Sequence, residues 1–149
     1  MVKFIISLLV LLPFLGTGNA EAQARELVVE ISNIRDAQGQ IALTLFASAD
    51  GFPMQPEKAA RHVFVPSKEG TVRIRLADLP FGTYAIAVLH DANRNERMDF
   101  NFLGMPKEGT GSSNDVRNLF SGPEFSQAKF EFRPGREDLS IRMYYWGGK

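Results

Sequence analysis

The sequence predicts an all-β protein, a single Greek-key sandwich of about seven antiparallel strands. Three observations support this prediction. Short segments alternate apolar and polar residues with a period of two, which is typical of half-buried strands. Clusters of Gly, Pro and Asp separate these segments, and only one short stretch has a helical pattern. We therefore expect a sandwich of the immunoglobulin-like or transthyretin-like kind.

Seven segments carry the strand pattern. In "TVRIRL", Val72, Ile74 and Leu76 share one face and polar residues occupy the other. "QAKFEFR" repeats the pattern with Phe130 and Phe132 on its apolar face. In chain order the predicted strands are "ELVVEI" (26–31), "QIALTLF" (40–46), "HVFV" (62–65), "TVRIRL" (71–76), "TYAIAVL" (83–89), "QAKFEFR" (127–133) and "LSIRMYYW" (139–146).

Turn signals separate the predicted strands. They are "DAQGQ" at 36–40, "PSKEG" at 66–70 and "RPGRED" at 133–138, each with residues that favour turn geometry. The first and the last join consecutive strands closely, so each predicts a hairpin. The helical candidate is "PEKAAR" at 56–61, long enough for one or two turns. The region from Asp91 to Ser126 shows no strand pattern, and a loop of that length in a compact domain is often functional.

The first 24 residues have the organisation of a secretory signal peptide. "MVKF" supplies a basic start, "IISLLVLLPFL" an apolar core, and "AQA" a cleavage signal that ends at Ala24, with an alternative cut after Ala20. The apolar run is too short to span a bilayer comfortably, and no other long apolar run follows. We therefore expect residues 25–149 to form a single domain, without a transmembrane segment, that is periplasmic or secreted.

Composition excludes several kinds of partner and site. The chain has 17 basic and 17 acidic residues, and loss of Lys3 and Glu21 with the signal peptide keeps the balance at zero. A neutral chain predicts neither a nucleic-acid nor an anionic-membrane partner. The absence of cysteine excludes disulfides, a thiolate metal site and a cysteine nucleophile. An exported protein without disulfides depends on its core for stability.

The stretch "HDANRNERMD" at 90–99 has the oxygen spacing of a calcium loop. With Asp91 at position 1, Asn93, Asn95 and Asp99 fall at positions 3, 5 and 9. Arg97 at position 7 would contribute its backbone carbonyl. Oxygens at alternating positions converge when a chain curls around a hard cation. These five residues therefore predict a calcium site, and with only two acidic ligands it should be weak.

Two residues depart from that motif. Glu96 stands where glycine eases the sharp turn, and Phe102 stands where a bidentate glutamate completes the shell. Glu108 and Asp115 are acids from farther along the chain that could replace the missing ligand. The alternative is a polar turn at the end of a strand, in which Asp and Asn bond their own backbone.

A hydrolase is the competing hypothesis for the same region. It would use His90 as base with Ser112 or Ser113 as nucleophile, although no nucleophile elbow, zinc-binding helix or phosphate-binding loop is present. By alternation His90 ends the inward face of its strand, where histidine is usually a satisfied rim residue. Tyr84, two residues after Gly82, is the pattern of a corner tyrosine that ties a loop to the sandwich.

Two segments carry a resemblance to a known family. "VEISNIRDAQGQIALTLFASADGFP" and "LADLPFGTYAIAVLHDANRNERMDFNFLGMPKEG" resemble DUF2141, a family of small exported bacterial proteins, over most of the mature chain. This resemblance implies the fold and the export, since the family name carries no activity. The core "DLPFGTYAIAV" is also similar to carboxypeptidase-regulatory-like and Cna B-type sandwiches, which are commonly structural or adhesive.

Together these observations predict an exported, non-catalytic binding or structural module. One weakly bound calcium ion in the 91–99 loop is the only cofactor expected. The ligand could be a small molecule, a glycan or a protein, and the sequence leaves both its class and the oligomeric state open. The competing prediction is a periplasmic hydrolase built on His90 with Ser112 or Ser113.

Overall fold

The fold is described from a computed structural model, which covers residues 25–118 and 121–147. The predicted signal peptide at 1–24 lies outside the described residues. The described strands are β1 (Leu27–Ile34), β2 (Gln40–Phe46), β3 (Arg61–Pro66), β4 (Gly70–Leu76), β5 (Gly82–Asp91), β6 (Gly109–Ser112), β7 (Phe130–Phe132) and β8 (Asp138–Arg142). A 3-10 turn spans Pro56–Lys58, another Ser113–Asp115, and the helix α1 spans Phe125–Ala128. All seven predicted strands are confirmed, and β6 is an additional one.

The strands form two sheets. One has the order β4-β1-β8, and the other the order β3-β2-β5-β6 with β7 pairing the first residues of β5. Apolar side chains of the two sheets meet in one core, with Val29, Ile31 and Ile141 from the first sheet and Leu43 and Ile86 from the second. Each of these side chains is fully buried. The all-β sandwich predicted from alternation is therefore confirmed.

Two details of the predicted pairing are wrong. The turns at 36–40 and 133–138 were expected to close hairpins, but each carries the chain from one sheet to the other. β1 does not pair with β2, and β7 does not pair with β8. The strands are also not all antiparallel, since β8 runs parallel to β1 from Val28↔Asp138 to Ser32↔Arg142. Turn residues favour a reversal of the chain, but they do not specify the partner of the strand that follows.

Local predictions about the ends of elements are confirmed. "PEKAAR" forms a single turn at Pro56–Lys58. The Tyr84 hydroxyl donates to the Pro80 carbonyl at 2.9 Å, which ties the loop before β5 to the sandwich.

No helix of the described residues is long and apolar enough to cross a membrane.

Candidate functional site

The 91–99 loop begins at the buried end of β5. Asp91 is the last residue of that strand and is 0% exposed. Its Oδ1 accepts the Asn95 N–H at 3.0 Å, and its Oδ2 accepts the Glu96 N–H at 3.0 Å and the Gln40 Nε2 at 2.8 Å. A buried carboxylate is stable only when such donors satisfy it. Asp91 therefore holds the loop to the strand and to β2.

The polar side chains of the loop converge on Asp99. The Asn93 amide donates to Oδ2 at 2.7 Å, and the Asn95 amide donates to both carboxylate oxygens at 3.1 and 3.2 Å. Arg97 takes part through its N–H, which donates to Asn95 Oδ1 at 2.9 Å. The side chains at positions 3, 5 and 9 therefore lie together, joined by amide donors on a carboxylate, whereas the sequence predicted their oxygens around a cation.

The backbone of the loop is left-handed at two residues. Arg94 has φ 60° and Glu96 has φ 61°, so the residue at the glycine position of the motif does adopt the conformation that glycine favours. A non-glycine residue there is strained by about 1 kcal/mol or more. Phe102, at the position of the missing glutamate, is 95% exposed, and its side chain has no atom that can bind calcium.

Glu108 closes the loop from its far end. Its Oε1 accepts the Ala92 N–H at 3.1 Å, and its Oε2 accepts the Asp99 N–H at 3.3 Å. Burial raises the pKa of Glu108 against these two hydrogen bonds, and the charges of Asp99 and Asp91 raise it further. Asp115, the other remote candidate, instead accepts the Arg142 N–H at 2.9 Å.

These contacts are those of a polar turn in which Asp and Asn bond the backbone, the alternative that the sequence left open. Within residues 25–118 and 121–147, no three His, Cys, Asp or Glu side chains are grouped so that they could hold a metal ion. The predicted ligands Asp91, Asn93, Asn95 and Asp99 nevertheless lie in one compact loop. Calcium binding there stays a prediction.

His90 is a buried link between the loops rather than a partner of Ser112 or Ser113. Its Nε2 lies 2.7 Å from the Gln38 carbonyl, and its Nδ1 lies 2.8 Å from the Tyr145 hydroxyl. With Nε2 donating to the carbonyl, Nδ1 accepts from the phenol. Burial raises the pKa of Tyr145, which keeps the phenol protonated as that donor.

The two serines bond elsewhere. Ser112 Oγ donates to the Val116 carbonyl at 3.1 Å, and Ser113 Oγ accepts the Ile86 N–H at 2.9 Å. In the β5–β6 register Ser112 faces Ala87, three residues from His90, a separation of about 10 Å along the strand. The structure therefore does not bring together the residues of the hydrolase hypothesis.

A cleft of about 630 Å³ lies over the outer face of the second sheet. Its floor includes small side chains, Ala42, Thr44 and Ala87, which alternate with core residues on β2 and β5. The walls come from four parts of the chain, namely the 53–57 segment, the loop after β5, the residues after β6 and the residues after β8. Wall residues include Met54, Pro56, Met98, Phe100, Pro106, Val116, Arg117, Tyr144 and Trp146.

Sequence analysis missed this cleft, although a signal was present. Four outward positions of "IALTLF" and "YAIAVL", namely Ala42, Thr44, Ala85 and Ala87, carry small residues where a solvent-facing sheet usually has larger polar ones. Small side chains on a sheet form the floor of a cleft only where loops on both sides of the sheet form its walls. The alternation therefore indicates a covered outer face, while the walls follow from tertiary structure alone.

The comparisons with known proteins agree with the fold and add no activity. No curated protein and no solved structure matches the chain, so the similarity to carboxypeptidase-regulatory-like and Cna B-type domains stays a prediction. One family model matches residues 29–140, which is more than half of the 149 residues. This match includes both segments of the predicted resemblance. The chain therefore belongs to DUF2141, a family described as an uncharacterized protein conserved in bacteria.

Proposed function

We propose that this chain is an exported, non-catalytic binding module whose ligand occupies the cleft over the outer face of the second sheet. The observation that carries this proposal is the cleft itself. Its volume of about 630 Å³ lies within the roughly 300–1,000 Å³ typical of small-molecule sites. Its lining is mainly apolar, with a few polar groups that could orient a ligand. Export is supported by the signal-peptide pattern of residues 1–24.

Filling the floor of the cleft is expected to weaken binding. Ala87→Phe adds a large side chain to the floor of the cleft, whereas Thr83→Phe makes the same addition at an exposed position on the same face of β5. Titration with the uncharged apolar dye N-phenyl-1-naphthylamine should show saturable binding to the wild type and to Thr83→Phe. Binding of the dye to Ala87→Phe should be weaker by about tenfold or more. This corresponds to about 1.4 kcal/mol of binding free energy, lost because the dye buries less apolar surface. Equal binding by all three proteins would place the ligand site elsewhere.

A weak calcium site in the 91–99 loop is a second candidate function. The convergence of Asn93 and Asn95 on the Asp99 carboxylate supports it, because rotation of each amide would present oxygen instead of nitrogen. The raised pKa of Glu108, to which burial and then the charges of Asp99 and Asp91 contribute, also indicates negative charge that a cation would relieve. Bound calcium would brace the loop that forms one wall of the cleft.

Calcium is expected to raise the melting temperature of the wild type. At about ten times its Kd a ligand of the native state stabilises it by about 1.4 kcal/mol, or a few degrees. Asp99→Ala should remove the rise, and Asp138→Ala, which removes an exposed acid beside the first residues of β1, should keep it. The measurement is a thermal melt with millimolar calcium and again with chelator. An unchanged wild-type melt would eliminate this candidate and leave the cleft proposal intact.

A further inference from the structure

The two ends of the cleft differ in charge. The strand order β3-β2-β5-β6 places β3 and β6 three strand spacings apart, or about 14 Å. At the β3 end, His62 contacts the Thr44 hydroxyl at 2.9 Å. Burial lowers the pKa of His62, while the nearby Glu96 carboxylate opposes that shift. Glu57, which precedes β3, adds a second acid to the lining, so this end does not favour an anion.

The β6 end carries a positioned guanidinium. The Arg117 side chain lies over the ring of Tyr144, with 3.5 Å between its Cζ and the ring centroid, and it donates to the Tyr144 hydroxyl. Tyr144 is itself held by a pair of backbone hydrogen bonds with Thr110, at 2.7 and 2.8 Å. Among the described residues, no carboxylate lies in ion-pair contact with Arg117.

A guanidinium arranged in this way suits an anion that presents two oxygens side by side. Stacking restricts the orientation of Arg117, so that less entropy is lost when its remaining N–H groups bind a carboxylate or phosphate. Between this end and β3, the floor of Ala42 and Ala87 and the side chains of Met98 and Phe100 offer apolar surface, and Thr44 and Arg97 are the polar groups that line it beside them. The cleft therefore combines a stacked guanidinium at its β6 end with apolar surface along its floor.

We infer that the ligand of the cleft is an amphipathic anion, with a carboxylate or phosphate head at Arg117 and an apolar body along the floor towards β3. This inference rests on the proposed function, and it adds the chemical class of the ligand. A fatty acid and an alkyl phosphate share this chemistry. A glycan would not use the apolar floor in the same way, because its hydroxyl groups would be buried there without partners.

Trp146 makes the inference directly testable. It is the single tryptophan of the chain and lines the cleft, so its fluorescence reports on binding there. The probes are dodecanoate, dodecyl phosphate and the uncharged 1-dodecanol, each below the concentration at which it aggregates. The variants are Arg117→Gln and, as a control with the same change of charge, Arg136→Gln in the exposed turn between β7 and β8.

At least one of the two anions is expected to bind at least about tenfold more tightly than 1-dodecanol, because its head group forms charge-assisted hydrogen bonds with Arg117. Arg117→Gln should remove most of that preference without changing the affinity for 1-dodecanol, and Arg136→Gln should change neither. Arg117→Lys should restore part of it, since the charge returns without the planar fork. The relative affinities of the two anions identify the preferred head group.

Four results would overturn the inference. If the alcohol and the anions bind equally, or if Arg117→Gln leaves the preference unchanged, the ligand class is wrong while the cleft proposal stands. If a soluble chitin oligosaccharide displaces N-phenyl-1-naphthylamine and dodecanoate does not, the ligand is a glycan. Failure of the dye itself to bind would instead remove the proposed function together with the inference.

Discussion

Asp91→Ala is expected to lower the free energy of unfolding by about 3 to 5 kcal/mol. The fully buried carboxylate accepts three hydrogen bonds, from the Asn95 N–H, the Glu96 N–H and the Gln40 amide. Alanine leaves these donors without their acceptor, and bonds to a charged group are worth about 1.5–3 kcal/mol each. Urea denaturation followed by circular dichroism measures the loss.

Asp99→Ala is the matched control for this change. Asp99 belongs to the same loop and loses the same charge, but its carboxylate accepts only the exposed amides of Asn93 and Asn95. Asp99→Ala should lower the free energy of unfolding by about 1 kcal/mol or less. If Asp91→Ala does not fold, Asp91→Asn retains one acceptor oxygen and should give an intermediate loss. Equal small losses for Asp91→Ala and Asp99→Ala would contradict the anchoring role of Asp91.

This difference determines which variant can test calcium binding. Because Asp91 anchors the loop, its replacement lowers stability whether or not calcium binds. Asp99 lies where the side chains of the loop converge and contributes less to the fold. A melt of Asp99→Ala with and without calcium therefore separates metal binding from structural damage.

Gly39→Ala is expected to destabilise the fold by about 3 kcal/mol or more. Gly39 has φ +72°, and a Cβ added there would lie 2.1 Å from the Asp91 carbonyl oxygen and 2.6 Å from the Ala92 Cα. Both are backbone atoms, which cannot move aside without shifting the end of β5. The loss should appear in urea denaturation as a lower midpoint with an unchanged slope.

Gly104→Ala separates the clash from the backbone conformation. Gly104 has a similar φ of +76°, but nothing lies within 4 Å of the position that its Cβ would occupy. This variant should lose only the cost of a left-handed non-glycine residue, about 1 kcal/mol. If the two variants lose the same amount, the close approach of Gly39 to β5 does not matter for stability.

Alternation was sufficient to predict the long strands but not β6. "TVRIRL" buries one face and exposes the other, and "TYAIAVL" alternates bulky core residues with residues on the outer face, so their period appears in the sequence. β6 reads "GTGS", which has no apolar face. Its glycines are explained by neighbours from the end of the chain, because a Cβ on Gly109 would lie 2.3 Å from the Tyr145 ring and one on Gly111 2.9 Å from Ile141.

The same division applies to the candidate sites. The contacts among Asn93, Asn95 and Asp99 are local, so the spacing of these residues along the chain is enough to indicate that they lie close together. Gln40 and Glu108 join the loop from other elements, and no spacing rule relates them to Asp91. His90 likewise binds Gln38 and Tyr145, which are distant in sequence, rather than the serines that the hydrolase hypothesis required.

The sequence by itself determined the all-β class, the strand positions, the family and the polar turn that follows β5. All of these depend on side-chain alternation, turn residues and local hydrogen bonds, which act over a few neighbouring residues. Only the tertiary structure decided the pairing of β1 with β8, the anchoring of Asp91 and the cleft with Arg117 at one end. These depend on residues brought together by the packing of two sheets, and the free energy of that packing is spread over the whole core.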